Sequence, residues 1–293
     1  MTRPTTTTTT TTTAPAPSMT WLGYTTAQFL LSLRVYWKGI GIALTGTLVP
    51  LGLGVFVPLQ SAGSGKLISG APAALFILTG FLGFATFFTV YNLVSAVTAR
   101  RDALIYKRLR TSALPDTSIF AGEGAAAAVP TLAVAVLLVL FGIVVLRSGA
   151  PSNIPLLVVG LLLGTVMFVS LAIGVSGVLP GSGTSIWVIT PFMVFFMLCS
   201  GIFTPLSSLP GPLPQIAAYL PMSPVVGILR TAYLGGDFAS ENAVLSVVAP
   251  GAPVGILGGF GASIGAICIM VAWSVIGFVF ARKFFRWDPK RSG

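Results

Sequence analysis

The chain has no histidine, only two cysteines in 293 residues, and charge on only 8% of its positions. Without histidine a Ser-His-Asp triad cannot be assembled, and no cluster of Cys, Asp and Glu at ligand spacing offers a zinc site. Cys199 and Cys268 both lie inside apolar runs, where they read as small hydrophobes rather than as a disulfide. Charge is equally short: a soluble domain carries about a quarter charged residues. Nucleotide-binding signals are missing as well. The stretch Ala62 to Ile68 reads AGSGKLI, and its Gly65-Lys66 fits the end of a P-loop. Gln60 stands where that loop needs its first glycine, however, and Leu67 stands where a magnesium-holding hydroxyl belongs. The stretch reads as a Gly/Ser surface loop.

What the chain does have is apolar length. Hydrophobic residues make up 55% and mean hydropathy is +0.96, the composition of a membrane protein. Six segments can each cross a bilayer as a helix: about Gly39 to Pro58, Ala73 to Val97, Ala125 to Val145, Ile154 to Val178, Ser185 to Phe203 and Ile256 to Phe280. None contains Asp, Glu, Lys or Arg. That absence counts against a proton- or sodium-coupled carrier, which holds its coupling ion on an intramembrane ionisable residue. It also leaves a membrane hydrolase or transferase without convergent polar groups. The net charge of +10 does not imply nucleic acid, because the basic residues sit between apolar runs rather than on one wet face.

Lys and Arg instead report topology. With both ends in the cytoplasm, that side collects thirteen of the sixteen basic residues, leaving Lys66, Arg147 and Arg230 outside. The expected localisation is therefore a cell membrane, multi-pass, with both termini inside and AGSGKLI away from cytoplasmic ATP. Residues 1–18, with nine consecutive threonines, read as a disordered tail without the apolar core of a signal peptide. Residues 19–38 place Leu22, Phe29, Leu30, Leu33 and Trp37 at helical spacing, with Thr25, Gln28 and Ser32 on another face. This is either an interfacial helix or the start of the first span. A six-span unit follows over 39–284, then a basic tail over 285–293. GLLLG (Gly160 to Gly164) and GASIG (Gly261 to Gly265) are small-xxx-small patterns, open to a dimer seam, to intramolecular packing or to chance.

Two stretches stand out. Residues 98–115, TARRDALIYKRLRTSALP, read as a short amphipathic helix with Leu104, Ile105 and Leu109 on one face and Arg101, Lys107, Arg108 and Arg110 largely elsewhere. A positive-inside loop held on anionic lipid is the other reading. Ser200 to Arg230, SGIFTPLSSLPGPLPQIAAYLPMSPVVGILR, carries six prolines that forbid one continuous helix, yet it stays apolar. That suits short helices re-entering the outer leaflet over 204–230, or a hydrophobic loop on the membrane surface.

Together the two stretches resemble the type-2 ABC transporter permease family. RRDALIYKRLRTSALP is similar to that family's charged motif after the second span, and SGIFTPLSSLPGPLP to its S-G-x-x-x-P-x-x-x-L-P segment. The resemblance implies an all-α membrane fold: six transmembrane helices, an N-terminal interfacial helix, a cytoplasmic coupling helix and an outer re-entrant helical pair. It implies that Arg34, Arg100, Arg101, Asp102, Leu104, Lys107, Arg108, Leu109 and Arg110 lie at or beside a separate cytoplasmic ABC ATPase subunit. Phe203, Pro205, Leu209, Pro210, Leu220 and Pro221 would form an outer gate. The chain itself would bind no cofactor, ATP and magnesium being held by the ATPase, and would pair with a second permease subunit, identical or similar, amid membrane lipid. A hydrophobic or amphipathic compound would be exported, a drug or antibiotic first, a lipid or glycan second; an ATP-independent carrier or channel is the rival class. Charge reversal at Arg101 and Arg108 is expected to uncouple transport while leaving insertion intact. Many family members carry Gly-Thr where this chain has Leu104-Ile105.

Overall fold

A computed structural model of the chain describes residues 20–111, 114–240 and 251–285. The threonine-rich tail and the basic tail beyond Phe285 lie outside these residues. Among these residues ten α-helices run in order: α1 Trp21–Lys38, α2 Ile40–Ser61, α3 Ala73–Asp102, α4 Ile105–Thr111, α5 Asp116–Val144, α6 Ile154–Ser176, α7 Ser182–Cys199, α8 Leu213–Ala218, α9 Met222–Leu234 and α10 Ile256–Phe284. A two-residue hairpin, β1 Leu67–Ile68 with antiparallel β2 Ala71–Pro72, joins α2 to α3. AGSGKLI forms the approach to this hairpin and its first strand, with Gly63 and Gly65 at positive φ.

Among the described residues six helices are long and apolar enough to cross a membrane: α2, α3, α5, α6, α7 and α10. They correspond one for one to the six expected segments, with two extensions that matter. The second helix runs on to Asp102, and the third begins at Asp116 instead of Ala125. Both extensions add ionisable residues, Arg100, Arg101 and Glu123, to helices whose apolar segments carry no charge. Such residues are tolerated because each finds partners inside the protein.

The arrangement is centred on α3. Of its most apolar stretch 94% is buried, against 11% for α7 and 17% for α10. A helix buried all round has no solvated face for its polar groups, and the hydroxyls of α3 accordingly bond back to its own carbonyls. Thr86 donates to Gly83 O at 2.6 Å and Thr98 to Val94 O at 2.7 Å, while Thr89 reaches Thr131 of α5 at 2.9 Å. Edge-on phenylalanines fill the rest, Phe81 against Phe84 at 5.7 Å and Phe84 against Phe88 at 5.2 Å. Where helices meet most closely, glycine removes the obstacle: a Cβ on Gly83 would lie 2.6 Å from Val226 Cγ2 of α9, and one on Gly160 would lie 2.7 Å from Ile228 Cγ2. The GLLLG stretch thus packs α9 against α6 within one chain. Gly261 of GASIG meets nothing within 4 Å.

Candidate functional site

Two constellations occupy opposite ends of the helix bundle. At the end where α3 finishes, Leu104 adopts φ 57°, a left-handed turn that reverses the chain into α4. Tyr106 is thereby carried inward and is fully buried, while Leu104 and Ile105 stay exposed. The apolar face expected from Leu104, Ile105 and Leu109 is corrected: Tyr106 is the buried anchor with Leu109 partly buried beside it, because the turn at Leu104 rotates the helix. Residues 98–115 are likewise not one helix but the end of α3 and then α4.

Tyr106 donates its hydroxyl to Glu123 Oε2. The same carboxylate pairs with Arg100 at 2.5 Å and accepts from Gln28 Nε2 of α1 at 3.2 Å. Arg100 and Gln28 also donate to Ser32 Oγ, at 3.0 and 3.3 Å. One buried acidic group thus joins four helices, α1, α3, α4 and α5. Burial first, and then the negative charge of Glu123, push the Tyr106 phenol well above its ordinary value, so it stays a donor. Gly122 makes the approach of α1 possible, since a Cβ there would meet Gln28 Cβ at 2.7 Å. The polar face of α1 is therefore the buried one, and Leu22, Leu30, Val35 and Trp37 face outward. A cavity of about 160 Å³ adjoins the cluster. Asn92 of α3 lines it, and its amide has no hydrogen-bond partner among the described residues.

Arg101 and Asp102 act as caps. Arg101, 1% exposed, donates to the carbonyls of Ser176 at 2.8 Å, Leu179 at 3.0 Å and Pro180 at 2.9 Å, where α6 ends. Asp102 Oδ2 accepts from Ser182 N at 2.6 Å, where α7 begins. A cation at a helix C-terminus and an anion at an N-terminus both oppose the helix dipole favourably. Arg101 is thus buried structure rather than contact surface, and its charge reversal cannot leave folding untouched, contrary to the sequence expectation.

At the other end, α7 stops at Ser200, a 3-10 turn spans Leu206–Ser208, and α8 leads into α9. Every residue of α9 from Met222 to Tyr233 is buried, against α3, α6 and α10. Arg230 fixes it: its guanidinium lies 3.4 Å from the centre of the Phe76 ring and donates to Phe76 O at 3.1 Å, Gly201 O at 2.9 Å and Thr79 Oγ1 at 3.3 Å. A buried guanidinium needs such partners to offset its lost hydration. Arg230 therefore ties the proline-rich segment to the start of α3. Of the residues assigned to the gate, Pro221 is buried, Phe203, Pro205, Leu209 and Leu220 are half-buried, and Pro210 is exposed.

A family model described as ABC-2 type transporter matches residues 20–234. The chain belongs to the ABC-2 type transporter family. It is a multi-pass membrane permease subunit of a transporter, and the family's permeases generally work with an ATPase partner. No curated protein matches the chain.

Mapped onto this permease, the sequence-assigned coupling residues divide in two. Arg34, Leu104, Lys107 and Arg108 are exposed, Asp102 is exposed while capping α7, and Leu109 is partly buried. Arg100 and Arg101 face inward, and the side chain of Arg110 lies outside the described residues. Sequence reasoning missed Tyr106, Glu123, Gln28 and Ser32 as a unit. The available signal was Glu123 itself, an acidic residue at the threshold of an apolar run.

Proposed function

We propose that this permease exports a hydrophobic or amphipathic compound, a drug or antibiotic first, with energy from ATP and magnesium bound by a separate ATPase. Both termini and α4 face the cytoplasm. The ATPase docks on the exposed side of α4, where Leu104 and Ile105 lie beside Lys107 and Arg108, with Arg34 of α1 at its margin. Closure of an ATPase pair moves α4, and Tyr106 transmits that movement through Glu123 to α1, α3 and α5. A second permease subunit completes the route, and the segment from Phe203 through α9 forms its outer gate. This permease carries no nucleotide-binding loop of its own to perform the hydrolysis.

What carries the reading is the two-sided character of α4: one side bonded into the membrane helices through Tyr106, the other apolar and basic and uncovered. The test is Lys107→Glu with Arg108→Glu, which reverses two exposed charges of α4. ATPase association should weaken about tenfold, the effect of roughly 1.4 kcal/mol, while the variant stays folded and inserted. Undiminished association and transport in that variant would remove α4 from the docking role.

A further inference from the structure

A crevice of about 500 Å³ opens between α1, α5, α6 and α10. Its walls are apolar: Phe120, Val166, Val169, Ile173 and Phe278. Ile173 lies near the end of α6, and Val166 lies two turns deeper, about 10 Å along the helix axis. The crevice therefore runs parallel to the lipid chains. Its mouth, by contrast, is formed at helix ends by Asp116, where α5 begins, and Arg282, where α10 is about to finish. Trp21 closes the third side, with its indole N–H donating to Thr117 Oγ1 at 3.1 Å, the depth at which tryptophan meets lipid headgroups.

The two charges at the mouth are of opposite sign, and neither makes an ion pair among the described residues. Arg282 only approaches the Phe278 ring, at 5.6 Å. A guanidinium fork matches a phosphate diester, and a carboxylate accepts hydrogen bonds from a primary ammonium. We infer that the crevice binds a phospholipid with a zwitterionic ethanolamine headgroup, its phosphate on Arg282, its ammonium on Asp116 and an acyl chain along the wall of α6. A net charge of +10 would by itself draw anionic lipid, so the expected preference runs against the chain's overall charge. A choline head cannot donate to Asp116, and a glycerol head brings no cation. This assignment does not depend on which compound the permease exports.

Native mass spectrometry of the full chain, delipidated and offered equal amounts of phosphatidylethanolamine, phosphatidylglycerol and phosphatidylcholine, tests it. The wild type should retain phosphatidylethanolamine over the other two by about fivefold, the size of one partly exposed ionic contact. Asp116→Asn should erase that preference, Arg282→Gln should lower retention of all three lipids, and Val166→Trp, which fills the crevice, should do the same. All three positions are exposed, so the variants keep the fold. Equal retention by the wild type, a preference for phosphatidylglycerol, or a preference unchanged in Asp116→Asn would overturn the assignment.

Discussion

Glu123→Gln keeps the shape of the side chain at the centre of the four-helix cluster and removes its charge. Arg100 is then buried opposite a neutral amide, and breaking a buried ion pair from one side costs about 3–5 kcal/mol. Two features favour the low end: Arg100 keeps its bond to Ser32 at 3.0 Å, and its side chain retains 11% exposure. The glutamine carbonyl can still accept from Tyr106. A loss of about 3 kcal/mol is expected, a large part of the 5–15 kcal/mol that holds an ordinary domain folded. Destabilisation alone would not show that the cluster transmits movement. The triple variant Arg100→Met, Glu123→Leu, Tyr106→Phe separates the two roles, because it removes both charges and the hydroxyl together. Replacing a buried pair by apolar groups of similar volume is often neutral or stabilising, so its stability should return to within about 1 kcal/mol of wild type. ATP-driven transport should not return, since α4 has lost its polar tie to α5. Unfolding in lipid nanodiscs measures the first quantity, and substrate export with the cognate ATPase measures the second. Glu123→Gln within about 1 kcal/mol of wild type would refute the burial argument. A triple variant that exports normally would refute the transmission argument.

Leu104→Gly should stabilise the permease: a left-handed residue with a Cβ costs roughly 1–2 kcal/mol, and glycine returns about half of that gain through the freer unfolded chain, leaving about 0.5–1 kcal/mol. A shift in unfolding midpoint measures it, and a destabilised variant would show that the Leu104 side chain contributes packing that its exposure conceals. Tyr106 sets a pH dependence. Its folded value is raised above the ordinary 10.0, so the stability it contributes is complete below that pH and is lost as pH rises further. Below about pH 10 the melting temperatures of the wild type and Tyr106→Phe should run in parallel, and above about pH 10 that of the wild type should fall more steeply; parallel falls there would contradict the assignment.

Hydropathy carried most of the fold. Helix α1 was expected over 19–38 and spans Trp21–Lys38, and the six membrane-crossing helices start and stop within a few residues of their apolar runs, α5 and α3 excepted. Those two run on because their extra turns carry charges satisfied by distant partners, which a local window reads as a boundary. The proline-rich segment was legible for the same reason that it breaks helices. The Glu123 cluster was not: Gln28 and Glu123 are separated by 95 residues and Arg100 and Ser32 by 68, so their pairing exists only after α1 and α5 have packed. Arg101 misled in the opposite way. It sits in a basic run that reads as surface, but the carbonyls it caps belong to a loop more than 70 residues later. The outward turn of Ile105 and the inward turn of Tyr106 follow from one left-handed residue that no hydropathy pattern reports.

Under the proposed function, α4 couples this permease to an ATPase in another chain. ATP hydrolysis by the gently purified permease with whatever it holds, compared with the stripped chain, and with bound partners identified by mass, tests it most directly. ATPase activity should travel with a separate subunit, disappear on stripping, and fail to copurify with the Lys107→Glu/Arg108→Glu variant. A permease that binds no ATPase and moves solute alone in liposomes would contradict it.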